Sequence, residues 1–596
     1  MSLMSMKINK LQKKYNQLKI NISDHPLVRN WILAIVIALF SALPTQAAER
    51  VYLSFAAANL SVSVNALETY AKEGKVNDPE LESYLLLLNS EDQKQFRNLL
   101  QDSYKIDPLM ISQFLYSPTG QIFLEKLGDL IQAKLNEQGT ITLRNGSDAI
   151  RTALIKAAQD SEGLTPLNIL RYFPSQGIQV NTQLLFELRD QIQTLSRETD
   201  AVIEEIVKIS NDEIISEPLT DFSQKLDIRY PGPNSTLKRT ILLNDRQRNR
   251  KILVDLYLPT PLNQVNQGQP NSIPVIVVSH GLAADRTEYA AFGEHLASYG
   301  FVAALIQHPG SDTDQVEALL SGRATDVFKV SEFVDRPTDI SFLLDELERR
   351  NPSEFNDQLN LNQVGVAGYS FGAYTALAIA GAEIDFENLQ ADCSAKLDSP
   401  NLARLFQCRA LELPRTDYQF RDERVKAVMP INPVNSSIFG EQSLSQIQVP
   451  LLWQTSGEDK VTPVAWEQVR SFTWLTTPHK YLLLAEGDHH INLNLSMVNQ
   501  AVSSSLKEII DPVPVTINNY VNAVGLAFFK VYVANDQSYS PYLQAAYAKA
   551  ISEETYPLSL VSSVTSEQFY QAIRQARQQG KVLIKNQEGN DVYSTL

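Results

Sequence analysis

The chain has 596 residues and a mass of 66.7 kDa, with 44% hydrophobic and 20% charged positions, which excludes global disorder and implies more than one domain. Lys and Arg number 52 against 68 Asp and Glu, and the net charge of −16 has the wrong sign for gripping a phosphate backbone, so no nucleic-acid partner is expected. Two cysteines, Cys393 and Cys408, exclude a Cys-rich metal cluster or a disulfide scaffold and leave at most one bridge.

In chain order, residues 1–30 carry Lys7, Lys10, Lys13, Lys14, Lys19 and Arg29 with Asp24 as the only acid, and an apolar run follows from Trp31 to Leu43. That is the order of a secretory signal peptide. The run has 13 residues, short of the roughly 20 that cross a bilayer as a helix. Small residues at Ala47 and Ala48 suit a peptidase, so residues 1–48 are read as the signal peptide, with an uncleaved anchor as the alternative. Cleavage removes six positive charges and one negative, leaving −21. The body is then expected to be exported, periplasmic or extracellular, with no stable membrane span after cleavage.

From 49 to 217 the apolar spacing is helical: Ala66-Leu67 with Tyr70-Ala71, the run LESYLLLL at 81–88, and Phe123, Leu127, Leu130 and Ile131 on one face. This segment is expected to be an all-helical domain of unknown role. From 218 to 596 the pattern is that of strands and crossovers. Segments 225–229, 238–243 and 251–258 read as an opening β-meander, and continuous apolar runs follow at 273–279, 301–307, 364–368, 425–431, 449–456 and 479–485. Apolar runs separated by helical stretches predict an α/β domain, a mostly parallel sheet with helices on both faces.

The sharpest chemical signal is Gly368-Tyr369-Ser370-Phe371-Gly372, between a strand and the small-residue helix AYTALAIAGA. A strand, a tight turn and a helix around G-x-S-x-G expose a nucleophilic serine at the carboxyl edge of the sheet. A serine hydroxyl needs a base, and the base needs an orienting acid, here in the order Ser, acid, His. Asp459, in a loop past the run 449–456, is the candidate acid, with Glu458 as its local rival. Glu486-Gly487-Asp488-His489-His490 supplies the candidate base, either His490, favoured by the glycine three residues before it, or His489. A metal site at Asp488-His489-His490 is disfavoured because adjacent side chains point apart and no second cluster completes it. The oxyanion donors are expected to be the backbone N–H groups of Phe371 and of Leu282, in the loop Ser279-His280-Gly281-Leu282. His280 is read as a side chain that shapes this loop, and nothing singles out His25, His295, His308 or His479.

The segment SHGLAADRTEYAAFGEHLASYGFVAALIQHPGSD at 279–312, together with GYSFG at 368–372, resembles the platelet-activating factor acetylhydrolase type of α/β-hydrolase, over roughly 225–500. The stretch from AAERVYLSF at 47–55 through LNILRYFP at 167–174 is similar to a domain of unknown function that precedes such hydrolases in photosynthetic bacteria. The resemblance implies a serine esterase that takes a short acyl group from a lipid or small ester, as a 1-alkyl-2-acetylglycerophosphocholine esterase does, without a cofactor. It extends to Ser370, Leu282, Phe371 and His490. Two departures limit it: Tyr369 stands where the family usually has His, and the family's acid position falls in MPINPVN at 429–435, where Asn432 has no carboxylate.

An insertion at about 383–423 holds both cysteines, so an exported chain is expected to form Cys393–Cys408, and the insertion is a candidate lid. From Val515 onward a closing helix and an accessory tail are expected. The rivals to an esterase are a peptidase or thioesterase on the same residues, and a non-catalytic binding protein on a hydrolase scaffold.

Overall fold

A computed structural model of the chain describes residues 48–596 apart from 56–57, 87–88, 138–139, 263–264, 266–267, 395–400, 491–513, 580, 586–590 and 596. The expected signal peptide thus lies outside the described residues, save Ala48.

The N-terminal region is largely helical. Its helices at 79, 108, 118 and 166 begin alike: Asp78, Asp107, Ser117 or Thr165 accepts a backbone N–H through its side chain, and proline follows at the first helical position, where no N–H is needed. The expectation of an all-helical domain requires correction, because five strands form a sheet here: β1 (Arg50–Phe55), β2 (Ala58–Ser63), β3 (Ile131–Glu137), β4 (Thr140–Arg144) and β5 (Gly177–Val180), ordered β2-β1-β5-β3-β4. These strands are four to seven residues long, and segments such as ANLSVS and IQAKLNE mix polar with apolar positions. They give no run of alternation long enough to see. Ile131, placed by its spacing on a helix face, follows the last helical residue Leu130 and opens β3.

The helix Thr182–Ser216 carries the chain into the second half, and its Val202, Ile206 and Ile209 join the hydrophobic core there. Nine strands build the main sheet: β6 (Ser235–Asp245), β7 (Arg250–Thr260), β8 (Ile273–Ser279), β9 (Val302–Ile306), β10 (Leu359–Tyr369), β11 (Val425–Ile431), β12 (Leu451–Ser456), β13 (Lys480–Ala485) and β14 (Leu558–Val561). Their order is β14-β13-β12-β11-β10-β8-β9-β7-β6. The pairs from β9 through β8, β10, β11 and β12 to β13 are all parallel, while β6, β7 and β14 add antiparallel edges. One apolar cluster fills each face, the first around Phe371, Tyr374 and Trp453 and the second around the helix Val515–Tyr532. This is the α/β-hydrolase fold.

Two readings of the second half change. Segment 225–229 is not a strand: Asp227 turns its carboxylate onto the Arg229 N–H and guanidinium, a local bond that competes with a ladder. The tail after the closing helix contributes β14 to the main sheet, a strand of only four residues. In the insertion, helices Phe386–Ser394 and Leu402–Cys408 are joined by the disulfide Cys393–Cys408. A loop of this size is worth about 3 kcal/mol in the chain-entropy account. Among the described residues no helix is long and apolar enough to cross a membrane.

Candidate active site

β10 runs directly into the helix Phe371–Ile379, and the turn between them is Ser370, with φ 53° and ψ −110°. A serine in this region is strained by about 1–3 kcal/mol and persists only where its surroundings hold it. Here the Ser370 N–H donates to the Ile431 carbonyl of β11 at 2.9 Å, and every side chain of the following helix is buried. The flanking glycines are sterically required. A Cβ on Gly368 would sit 2.1 Å from the Gly372 oxygen, and one on Gly372 would sit 2.0 Å from the Ser279 oxygen and 2.8 Å from that of His280. The second approach presses the turn against the loop after β8, which holds the two expected oxyanion positions together. Neither the Leu282 N–H nor the Phe371 N–H has a backbone or side-chain acceptor among the described residues.

His490 reaches the serine from the loop after β13. Its Nε2 lies 3.0 Å from Ser370 Oγ, and its Nδ1 lies 2.6 Å from Asp459 Oδ2. A carboxylate can only accept, so Nδ1 carries the proton and Nε2 presents its lone pair to the serine hydroxyl. Asp459 is buried and fully engaged: Oδ1 accepts from the N–H groups of Val461 (2.8 Å) and Thr462 (2.7 Å), and Oδ2 also accepts from the Thr462 hydroxyl. The rivals lie elsewhere, since Glu458 and His489 are both exposed. Asp488 is buried, and its Oδ2 accepts from Ser456 Oγ at 2.5 Å. The three side chains Asp488, His489 and His490 therefore do not converge.

Asn432, in the position where the resembled family carries its acid, donates through Nδ2 to Ser456 Oγ at 2.7 Å and accepts the Ser456 N–H at 2.8 Å. It ties the ends of β11 and β12 together and leads through Ser456 to Asp488. Burial pushes the Asp488 carboxyl up to about 6 against the opposing pull of the Ser456 hydroxyl.

Three neighbours of the site have no role in the sequence reading. The Tyr369 ring lies 5.3 Å from the His490 ring, centroid to centroid. Glu288 accepts the Gly281 N–H at 2.9 Å, and burial raises its carboxyl to about 7. Arg336, fully buried on the helix Glu332–Glu354, donates to the loop after β8. An Arg at helical spacing, or a Glu in a polar turn, reads from sequence as solvated, and only the docking of the helix Glu332–Glu354 and of the turn before the helix Ala290–Ser298 brings these two to the loop. The insertion also meets the site: Phe406 packs on Phe371 with ring centroids 4.9 Å apart.

A family model described as "Alpha/beta hydrolase of unknown function (DUF1400)" matches residues 47–181, and one described as "Platelet-activating factor acetylhydrolase, isoform II" matches residues 237–317. The second match is narrower than the expected 225–500 and covers the loop after β8 and the helix that follows. No curated protein matches the chain. The chain is a hydrolase of the α/β-hydrolase fold, similar to these two families over the stretches named.

Proposed function

We propose that this hydrolase is an exported serine esterase that cleaves a carboxylic ester, of a short acyl group or of a lipid, through a covalent acyl-enzyme. The observation that carries the reading is the chain of hydrogen bonds from Ser370 Oγ to His490 Nε2 (3.0 Å) and from His490 Nδ1 to Asp459 Oδ2 (2.6 Å).

In this mechanism Ser370 Oγ attacks the ester carbonyl as His490 Nε2 takes its proton. A positioned base of this kind contributes about 10²–10⁴ in rate. The negative oxygen of the tetrahedral intermediate accepts from the N–H groups of Leu282 and Phe371, each worth about 10²–10³ when removed. Asp459 stabilises the imidazolium without taking its proton. His490 then protonates the departing alkoxide, and the acyl-enzyme forms on Ser370. A water molecule, deprotonated by His490, repeats the attack and releases the carboxylic acid.

The resemblance over 237–317 supports an acetyl or short-chain ester, a lipid such as 1-alkyl-2-acetylglycerophosphocholine among them. The insertion is proposed as the lid, since Phe406 already walls the residue after the nucleophile. Export is supported by the leader pattern and by the disulfide, a bond that persists in oxidising compartments.

A fluorophosphonate probe tests the reading. It should label the wild type and not Ser370→Ala, and folded wild type that fails to label refutes the proposal. A panel of p-nitrophenyl esters, thioesters and peptide anilides then separates an esterase from a thioesterase or peptidase.

A further inference from the structure

A planar trans peptide points its carbonyl and its N–H in opposite directions, so gripping one end aims the other. The Gly281–Leu282 peptide has the Leu282 N–H, the proposed oxyanion donor, at one end and the Gly281 oxygen at the other. That oxygen receives two donors: His280 Nδ1 at 2.7 Å and Arg336 Nη2 at 3.2 Å. The preceding peptide is held at both ends, with Arg336 Nη1 2.7 Å from the His280 oxygen and the Gly281 N–H 2.9 Å from Glu288 Oε2. The same guanidinium lies over the Phe371 ring, 4.2 Å from its centroid, and so touches the peptide that carries one assigned oxyanion donor and the side chain of the residue that carries the other.

The parts that hold this grip are themselves fixed. His280 Nε2 accepts the His308 N–H at 3.0 Å, which requires the proton on Nδ1, where it can donate to Gly281. Burial and the neighbouring Arg336 cation push the His280 pKa well down and keep the ring neutral. Arg336 Nε donates to Ser311 Oγ at 2.9 Å, and Glu332 stands 3.8 Å away as its counter-charge. Burial lowers the guanidinium to about 10, so it remains a cation near neutral pH.

Resting on the esterase reading, we propose that Arg336 and His280 are positioning residues of the oxyanion hole: by gripping the Gly281 carbonyl they aim the Leu282 N–H and polarise its peptide. A cation on the carbonyl side draws electron density from the amide and makes its N–H a stronger donor where charge develops. Neither residue touches substrate in this account. Their contribution falls on the transition state, so removing it lowers kcat and leaves KM nearly unchanged.

The test uses full-length wild type, Arg336→Lys and His280→Phe on p-nitrophenyl acetate, with a boronic acid as the tetrahedral mimic. Lysine keeps a charge but loses the two-pronged grip. Arg336→Lys should lower kcat about 10- to 100-fold, hold KM within about threefold, and weaken boronate binding by the same factor as kcat. His280→Phe keeps a ring but loses the Nδ1 donor, and should lower kcat about tenfold in the same pattern. It carries the test if Arg336→Lys does not fold. A folded variant with unchanged kcat, or one that loses only thermal stability or raises only KM, overturns the inference and leaves the esterase reading intact. A folded wild type without turnover or labelling overturns both.

Discussion

Replacing Asp459 with asparagine changes one oxygen for an NH2 group at the most constrained point of the site. Oδ1 accepts two backbone N–H groups, Val461 at 2.8 Å and Thr462 at 2.7 Å, while Oδ2 accepts the His490 Nδ1–H at 2.6 Å. An asparagine has one oxygen to offer. Turning it toward His490 would leave the two backbone donors facing an NH2 group and forfeit two hydrogen bonds, about 1 kcal/mol each. The oxygen should therefore stay on the backbone and the NH2 should face His490 Nδ1. The imidazole must then carry its proton on Nε2, aimed at Ser370 Oγ 3.0 Å away, where it can no longer accept one. In a Ser-His-Asp protease on an unrelated fold, this change of tautomer lowers kcat about 10⁴-fold, equivalent to about 5 kcal/mol of barrier, and a loss of that order is expected here. Initial rates on p-nitrophenyl acetate measure it, with the thermal midpoint as a folding control and Glu458→Gln, an exposed neighbour, expected within about threefold of wild type. If folded Asp459→Asn keeps activity within about tenfold of wild type, the tautomer argument is wrong and another acid orients His490.

Two further outcomes concern stability. Gly372→Ala places a methyl group 2.0 Å from the Ser279 oxygen, a backbone atom that cannot swing aside; a loss of about 3 kcal/mol or more in chemical denaturation is expected, and a folded variant of wild-type stability would contradict the close approach. Asp488 gives a pH signature. Its folded carboxyl sits near 6, above its usual 3.8, so its contribution to stability is full below the unfolded value and is lost as pH rises through about 6. Asp488→Asn has no such loss, and its unfolding free energy from urea denaturation should gain on wild type between about pH 4 and pH 7, by up to about 3 kcal/mol; parallel pH curves for the two proteins would count against a buried, reluctant carboxyl.

Much of the fold is legible in the chain because its signals are local. Six apolar runs spaced by helical stretches specify a buried parallel sheet, and the six parallel strands of the structure, β8 to β13, fall on them. The signal of the turn at Ser370 is equally local, a five-residue pattern with glycine on both sides, although only Gly368 answers a demand inside it while Gly372 answers the close approach of Ser279 and His280. Short strands such as β4 and β14 lack that redundancy: β4 has five residues with polar and charged positions among them, and β14 has four and pairs with β13 more than 70 residues earlier in the chain.

What the order of residues along the chain specified was the tight turn at Ser370, the sheet around it and a small set of candidate acids and imidazoles. Tertiary structure made the choice within that set. His490 and Asp459 are buried in contact, while His489 and Glu458, one position away in each loop, face outward. A loop carries no periodicity from which the inward residue could be read. Arg336 illustrates the same limit: 55 residues separate it from Gly281, and only the docking of its helix on the sheet edge brings its guanidinium to that carbonyl. Geometry of this kind depends on how elements pack, and no local pattern encodes it.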